Sequence, residues 1–278
     1  MNWQMDALEV LQETSRTFYI PISRLPPILQ KAVASAYLCM RAIDEIEDHP
    51  ELDNSIKALL LQRVSCSLQG SVTTPDPELF LPDFFEYQTI GHQVVLPEVT
   101  LRLGEWADLA PESIAPRIWD TTAAMADRMA YWAARNWAIN TEQDLDRYTF
   151  SVAGAVGLLL SDLWAWYDGT QTSRLYAIGF GRGLQAVNIL RNSRDDQQRG
   201  VDFYPKGWTS DQMNEYAQRN LSMADRYVSA LPNGPALDFC QIPLALAHAT
   251  LEVMATGQEK LSRTAVVELI EQVSSGRV

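Results

Sequence analysis

The segment "DLDRYTFSVAGAVGLLLSDLWAWY" (residues 144–167) decides the fold class. Its apolar residues recur at spacings of three and four, the period of a helix, and "IWDTTAAMADRMAYWAARNWAI" (residues 118–139) repeats the pattern. No proline lies between Arg117 and Tyr204, so this stretch can form long helices. The strict alternation that is typical of strands is rare. We therefore predict an all-α protein.

Length and composition are those of a globular protein. The chain has 278 residues, of which 47% are hydrophobic and 21% charged. We predict a single domain over residues 1–278, because no loop is long enough to be an interdomain linker. Clusters of Pro, Gly, Asn and Asp predict loops at 49–54, 68–83, 205–211 and 231–236.

The net charge and the lack of a recognisable targeting signal limit which partners and which cellular location we expect. A net charge of −13 would repel nucleic acid, so we expect no nucleic-acid partner. The longest uncharged apolar stretch, "SVAGAVGLLLS" (residues 151–161), is shorter than the roughly 18 to 20 residues that cross a bilayer. Without a recognisable secretory signal, a cytoplasmic location is expected, with peripheral membrane contact left open. The sequence does not predict the oligomeric state.

A crowded acidic stretch, "RAIDEIEDHP" (Arg41–Pro50), follows an apolar run. On a helix, Arg41, Asp44 and Asp48 share one face. Two carboxylates one turn apart can hold Mg²⁺, and an arginine beside them suits a phosphate. The alternative is a solvated helix end. Glu45 and Glu47 are expected to point away from this face, towards the surface.

A second group of polar residues, called the polar seam below, lies on a largely apolar segment, "GLQAVNILRNSRDDQQRG" (residues 183–200). Its residues follow one another at steps of three, four and four: Gln185, Asn188, Asn192 and Asp196. Three arginines surround its acidic end: Arg191, Arg194 and Arg199. Buried amides need partners, so the seam indicates a ligand or a hydrogen-bonded network between helices. Together with the first stretch, it would suit a Mg²⁺-bridged diphosphate.

Three other segments can complete a pocket. "YTFSVAGAVG" (Tyr148–Gly157) has small residues that admit a ligand or, more commonly, a neighbouring helix. "SRTFY" (Ser15–Tyr19) offers hydroxyls and a guanidinium, or else a helix cap. "DFCQIPLALAHAT" (Asp238–Thr250) is typical of a core helix.

In order and spacing, these segments resemble the squalene/phytoene synthases, head-to-head prenyltransferases with the all-α isoprenoid synthase fold. The matching pieces are "SRTFY", "LCMRAIDEIED", "DLDRYTFSVAGAVG", "LQAVNILRNSRDD" with "RGVDFYP", and "FCQIPLALAHATL". They extend from near residue 15 to about residue 251. The last piece and "RAIDEIED" are similar to squalene synthases in particular.

The resemblance implies a role for each matching residue. The implied metal ligands are Asp44, Asp48, Asn192 and Asp196. The implied contacts to diphosphate are Ser15, Arg16, Thr17, Arg41 and Arg191. The prenyl channel would be lined by Phe18, Gln185, Asn188 and Phe239. Tyr148 would accept a proton or stabilise a carbocation.

Two positions depart from the family pattern. The second acidic motif normally begins with Asp, but Asn192 stands there and adds no negative charge. The family tends to place an arginine just after the glycine of this motif, where Val201 stands, and Arg199 is the residue that can compensate. We expect weaker metal binding on this side.

The implied reaction is Mg²⁺-dependent condensation of two farnesyl diphosphates through presqualene diphosphate to squalene or a close C30 product. NADPH would supply the hydride if reduction occurs, although no Gly-rich dinucleotide motif supports it. One alternative makes phytoene or dehydrosqualene, or stops at presqualene diphosphate, without a reductant. Another is a non-catalytic scaffold with the same fold.

Overall fold

The computed structural model describes residues 3–70, 76–90, 92–198, 200–258 and 260–274. These residues form helices, turns and loops, and no strand occurs among them, which confirms the all-α prediction. The chain divides into two compact units, Met1–Trp137 and Ala138–Val278. The prediction of a single domain stays a prediction, and each unit is described by itself.

The first unit contains helices α1 to α9 within its described residues. They are α1 (Trp3–Thr14), α2 (Arg16–Ser23), α3 (Pro27–Glu47), α4 (Asn54–Gln69), α5 (Pro77–Phe80), α6 (Pro82–Thr89), α7 (Glu98–Leu101), α8 (Leu103–Asp108) and α9 (Ala115–Ala133). The loop predicted at 49–54 is confirmed for residues 49–53, since α4 begins at Asn54. The loop predicted at 68–83 is wrong in part, because α5 and α6 each start at a proline that fits the first turn of a helix.

The first unit packs around α3. Pro27 opens this helix at a position that needs no N–H donor, and no further proline interrupts it before Pro50. Helix α3 contacts α1, α2, α4, α7, α8 and α9. Ser35 Oγ donates to the Trp106 carbonyl at 2.7 Å, and Thr100 Oγ1 donates to the Ala42 carbonyl at 3.0 Å. These bonds fix α3 both along its axis and in rotation.

The second unit contains helices α10 to α15 and a π-helical turn. They are α10 (Glu142–Thr149), the π-helical turn (Phe150–Gly154), α11 (Ala155–Asp168), α12 (Arg174–Gln198), α13 (Ser210–Ser229), α14 (Pro235–Ala255) and α15 (Arg263–Ser274). Helix α12 contacts α10, the π-helical turn, α11, α13 and α14, so this unit packs around it.

Glycines allow α12 to lie against its neighbours at backbone distance. A Cβ at Gly157 would lie 2.0 Å from the Ala177 carbonyl oxygen, and one at Gly181 would lie 2.1 Å from that of Ala153. On the α13 side, a Cβ at Gly179 would lie 2.4 Å from Met223 Cβ. Close helix packing therefore accounts for Gly157 in the small-residue segment predicted from the sequence.

One stretch of the described residues is long and apolar enough to cross a membrane. It is Glu142–Asp168, 27 residues with a mean hydropathy of 1.3 over its most apolar window. From the short apolar stretch at residues 151–161 we expected no segment of this length. The stretch is longer because α10, the π-helical turn and α11 are continuous. Within the unit, 56% of that window is buried, as in the core helices of many proteins.

Gly157→Ala should destabilise the protein by about 1–3 kcal/mol, because the added methyl would overlap a backbone oxygen that cannot rotate away. The matched control is Gly154→Ala, whose nearest contact is the Phe150 side chain at 3.1 Å. Urea unfolding followed by circular dichroism measures both. Equal losses in the two variants would contradict the packing argument.

Candidate active site

The acidic end of α3 brings together the first group of predicted residues. Arg41 Nη1 donates to Asp44 Oδ2 at 2.6 Å. Asp48 is exposed and ends α3 as its C-cap residue. The shared face predicted for these three residues is what the structure shows. Glu45 was expected to point away, and this is wrong, because it lies one turn after Arg41 and pairs with it.

Glu47 also differs from the prediction. It was expected at the surface, but only 4% of it is exposed. It lies one turn after the fully buried Ile43, so it faces the core of the first unit. Its Oε1 accepts a hydrogen bond from Trp137 Nε1 at 2.7 Å. Asp44, Glu45 and Asp48 therefore lie on the outer face of the helix, whereas Glu47 lies in the interior.

Burial changes the acidity of two of these carboxyls. Burial and the neighbouring Asp48 raise the pKa of Asp44 to about 7, against the opposing effect of Arg41. The Asp44 side chain nevertheless keeps 34% of its surface open, so solvent moderates this effect and a cation can reach the carboxylate. Burial also raises the pKa of Glu47 to about 8, although the bond from Trp137 lowers it.

Tyr37 connects the N-terminal segment to the acidic face. Ser15 is the N-cap of α2, and its Oγ accepts from the Phe18 backbone N–H at 3.2 Å. The Phe18 and Tyr37 rings lie 5.6 Å apart, and burial raises the pKa of Tyr37, whose hydroxyl is near Ser15 and Arg41. Sequence reasoning missed Tyr37. The available signal was its position one turn before Arg41.

The remaining residues of this segment are less informative. Thr17 is half-buried on α2. Arg16 belongs to the same helix, but its side chain lies outside the described residues. Their predicted contacts to phosphate remain predictions.

Tyr148 lies near the end of α10 in the second unit. The helix begins with a capping box in which Thr141 and Asp144 bond each other's backbone N–H groups. Tyr148 is 4% exposed, and its ring stacks on Phe203 with centroids 4.7 Å apart and planes 18° apart. The catalytic role of Tyr148 stays a prediction.

A partly buried polar network involves residues on both sides of Tyr148 in the sequence. Tyr216 Oη donates to Asp146 Oδ1 at 2.9 Å and lies 2.9 Å from Thr149 Oγ1. Arg182 Nη2 donates to the Asp146 carbonyl at 2.8 Å. This network holds the residues on both sides of Tyr148 to α12 and α13. Sequence reasoning missed it, because its members are distant along the chain.

The polar seam of α12 lies on a single helix, as predicted. Gln185, Asn188 and Asn192 are half-buried, and Asp196 is 5% exposed. Arg191 is exposed, and its Nε donates to Asn192 Oδ1 at 3.2 Å. The oxygen with which Asn192 could bind a metal is therefore already an acceptor.

Phe239, expected to line the prenyl channel, is described by the structure, whereas Arg199 is not. Phe239 is 3% exposed and lies against Trp164, with ring centroids 5.6 Å apart, in the interior of the second unit. Arg199 lies outside the described residues.

The carboxylates of Asp44 and Asp48 suit a hard cation that takes its other ligands from water and a phosphate group. Among the described residues, no three His, Cys, Asp or Glu side chains are arranged to hold a metal by themselves. Asp44 and Asp48 supply carboxylates from one helix face, and Mg²⁺ commonly completes such a pair with water and phosphate oxygens. These two residues therefore fit a Mg²⁺ ion that arrives with a diphosphate.

Comparison with known proteins identifies the family. The model of the family described as squalene/phytoene synthase matches residues 11–212, a span that includes both acidic motifs. The chain belongs to the squalene/phytoene synthase family. The sequence-based recognition is thereby confirmed.

Curated relatives in this family include squalene synthases. The chain is 29% identical to squalene synthase of Homo sapiens over 279 aligned positions, which cover 90% of this chain and 63% of that protein. It is also 29% identical to squalene synthase of Eremothecium gossypii, with 93% of this chain and 63% of that protein covered. The chain thus spans less than two thirds of the length of these relatives.

Solved structures share the fold. A ligand complex of TcSQS is similar with a TM-score of 0.79 at 20% identity, covering 97% of this chain and 85% of that one. A dehydrosqualene synthase in complex with a ligand has a TM-score of 0.66 at 19% identity, covering 98% and 95%. The fold is the all-α isoprenoid synthase fold.

Tyr216→Phe should destabilise the protein by about 1–3 kcal/mol, because it takes a hydrogen-bond partner from the buried Thr149 and the half-buried Asp146. Tyr204→Phe, which removes a half-buried tyrosine hydroxyl of the same unit, is the control and should cost far less. Thermal unfolding of both variants measures the difference. Identical midpoints would show that the network contributes nothing.

Proposed function

We propose that this family member is a Mg²⁺-dependent prenyltransferase that condenses two farnesyl diphosphates head to head. The reaction would pass through presqualene diphosphate to squalene or a close C30 product. The observation that carries this proposal is the pairing of Arg41 with Asp44 on the helix face that ends at Asp48, in a family that acts on prenyl diphosphates.

In this proposal, each unit carries metal ligands. Asp44 and Asp48 of the first unit would hold Mg²⁺, and Asn192 and Asp196 of the second unit would hold Mg²⁺ as well. Bound there, Mg²⁺ would neutralise the pyrophosphate that leaves when an allylic diphosphate ionises.

The chain's own cations would bind and orient the diphosphate. Arg41 has a planar guanidinium that can bind two oxygens at once, and its pairing with Asp44 and Glu45 fixes the side chain in advance. Arg191 is exposed and close to Asn192, so it can meet an anionic group from solvent. Ser15, Arg16, Thr17 and Arg199 are proposed as further contacts to phosphate.

Aromatic and apolar side chains would protect the carbocation from water. The stacked rings of Tyr148 and Phe203 offer a π-face that stabilises positive charge. The Tyr148 hydroxyl is proposed to accept the proton that the condensation releases. Phe18 of the first unit is proposed to contact a prenyl chain of the substrates, and so are Gln185, Asn188 and Phe239 of the second unit.

Reduction of the intermediate to squalene would need a hydride, for which we propose NADPH. The similarity to two squalene synthases supports this choice. We propose a cytoplasmic location with peripheral contact to a membrane, since the substrate and the product are lipids.

A second candidate product is dehydrosqualene or phytoene, formed without a reductant. The similarity in fold to a dehydrosqualene synthase and the amide at position 192 favour it. A non-catalytic scaffold remains the third reading, and Asn192 is the feature in its favour.

The deciding experiment incubates the protein with farnesyl or geranylgeranyl diphosphate and Mg²⁺, with and without NADPH, and analyses extracts by mass spectrometry. We expect squalene only when farnesyl diphosphate and NADPH are both present. Asp44→Asn should abolish turnover. The control is Asp195→Asn, which changes an exposed acid next to Asp196 in the sequence and should not abolish turnover. A C40 product would move the assignment to phytoene, and no consumption of either substrate would support the scaffold.

Asn192→Asp should lower the Mg²⁺ concentration for half-maximal turnover roughly tenfold, because a carboxylate binds the cation more strongly than an amide. Asn233→Asp, at an exposed loop position, adds the same charge elsewhere and should leave the metal dependence unchanged. The measurement is turnover against Mg²⁺ concentration. An unchanged profile for Asn192→Asp would contradict a ligand role for this position.

A further inference from the structure

A buried contact joins the acidic turn of α3 to the last residue of the first unit. Glu47 lies between Asp44 and Asp48 in the sequence, and its Oε1 accepts from Trp137 Nε1 at 2.7 Å. Glu47 is 4% exposed and Trp137 is 7% exposed. The bond is therefore shielded from water and from competing hydrogen-bond partners.

The backbone that presents Trp137 is unusual. Asn136 and Trp137 have φ angles of 53° and 48°, and these are the non-glycine residues with positive φ among those described. Such conformations persist where the surroundings impose them. Asn54 Nδ2 donates to Asn136 Oδ1 at 2.7 Å, and the Trp137 backbone N–H donates to the Trp132 carbonyl at 3.0 Å.

The indole ring is held on its face as well. Lys57 of α4 is 7% exposed, and its Nζ lies 5.2 Å from the centroid of the Trp137 ring. A cation over the ring and a constrained backbone beneath it leave the indole little freedom to turn. Its N–H is therefore directed at Glu47 by the fold of the unit.

The position of Glu47 makes this contact consequential. Helix α3 ends at Glu47, and Asp48 is its C-cap. The last turn of a helix frays unless tertiary contacts hold it, and the directions of its side chains are then lost. Asp44 and Asp48 belong to this turn.

We propose that Trp137 is a positioning residue, whose indole N–H holds Glu47 and thereby fixes the last turn of α3 and the directions of the Asp44 and Asp48 carboxylates. This inference rests on the proposed function in taking those two residues as metal ligands. Trp137 touches neither metal nor substrate and acts through Glu47.

Four variants test the contact. Trp137→Phe keeps an aromatic ring beneath Lys57 but removes the donor. Glu47→Gln keeps an acceptor oxygen, whereas Glu47→Met removes it. Trp106→Phe is the matched control, because Trp106 is 2% exposed, donates to the Val99 carbonyl at 2.9 Å and has Arg102 4.3 Å from its ring.

Two measurements on the full chain report the outcome. Mn²⁺ binding in the presence of inorganic pyrophosphate is followed by electron paramagnetic resonance, and amide hydrogen exchange is measured over residues 41–49. For Trp137→Phe and Glu47→Met, we expect about tenfold weaker Mn²⁺ binding and faster exchange in this segment. Trp106→Phe and Glu47→Gln should remain close to the wild type in both measurements.

Two results would overturn the inference. One is equal exchange over residues 41–49 in Trp137→Phe and Trp106→Phe, which would make the bond an ordinary contribution to stability. The other is equal weakening by Glu47→Gln and Glu47→Met, which would make the charge of Glu47 the decisive property. If the wild type binds no Mn²⁺ but exchange accelerates only in Trp137→Phe and Glu47→Met, the positioning of the turn stands and the proposed function fails.

Discussion

Each unit carries its acidic motif on the helix around which it packs, and this constraint shapes the molecule. Helix α3 contacts six other helices of the first unit, and α12 contacts four helices and the π-helical turn of the second. A helix surrounded in this way can keep charged groups only where neighbours leave it open or where they supply partners. The acids of α3 accordingly gather at its C-terminal end, and the amides of α12 keep to one seam.

The close packing of α12 follows from the same constraint. Gly157 and Gly181 bring the backbones of α11, the π-helical turn and α12 into direct contact, which leaves no room for side chains on that side of α12. Its polar seam therefore uses the remaining surface. Bonds from Tyr216 of α13 and Arg182 of α12 then hold the segment of Tyr148 against these two helices.

Helical periodicity was sufficient to predict the fold class and the shared face of Arg41, Asp44 and Asp48, because neighbours at three and four positions determine both. It was not sufficient for Glu47, since whether a carboxylate enters the core depends on Trp137, ninety positions away. Tyr216 was missed for the same reason, because its partner Asp146 is distant along the chain, whereas Tyr37 lies one turn before Arg41 and could have been found. The loop predicted at 68–83 failed because prolines that interrupt a helix also begin one.

The position of the acids on α3 has an electrostatic consequence. The backbone dipoles of a helix give its C-terminal end a partial negative charge, which disfavours carboxylates there. This end of α3 nevertheless holds Asp44 and Asp48, so the field of the backbone adds to the repulsion between them that helps to raise the pKa of Asp44. A cation bound at this end would relieve that repulsion in the folded chain alone, and the folded state would gain stability as the cation concentration rises.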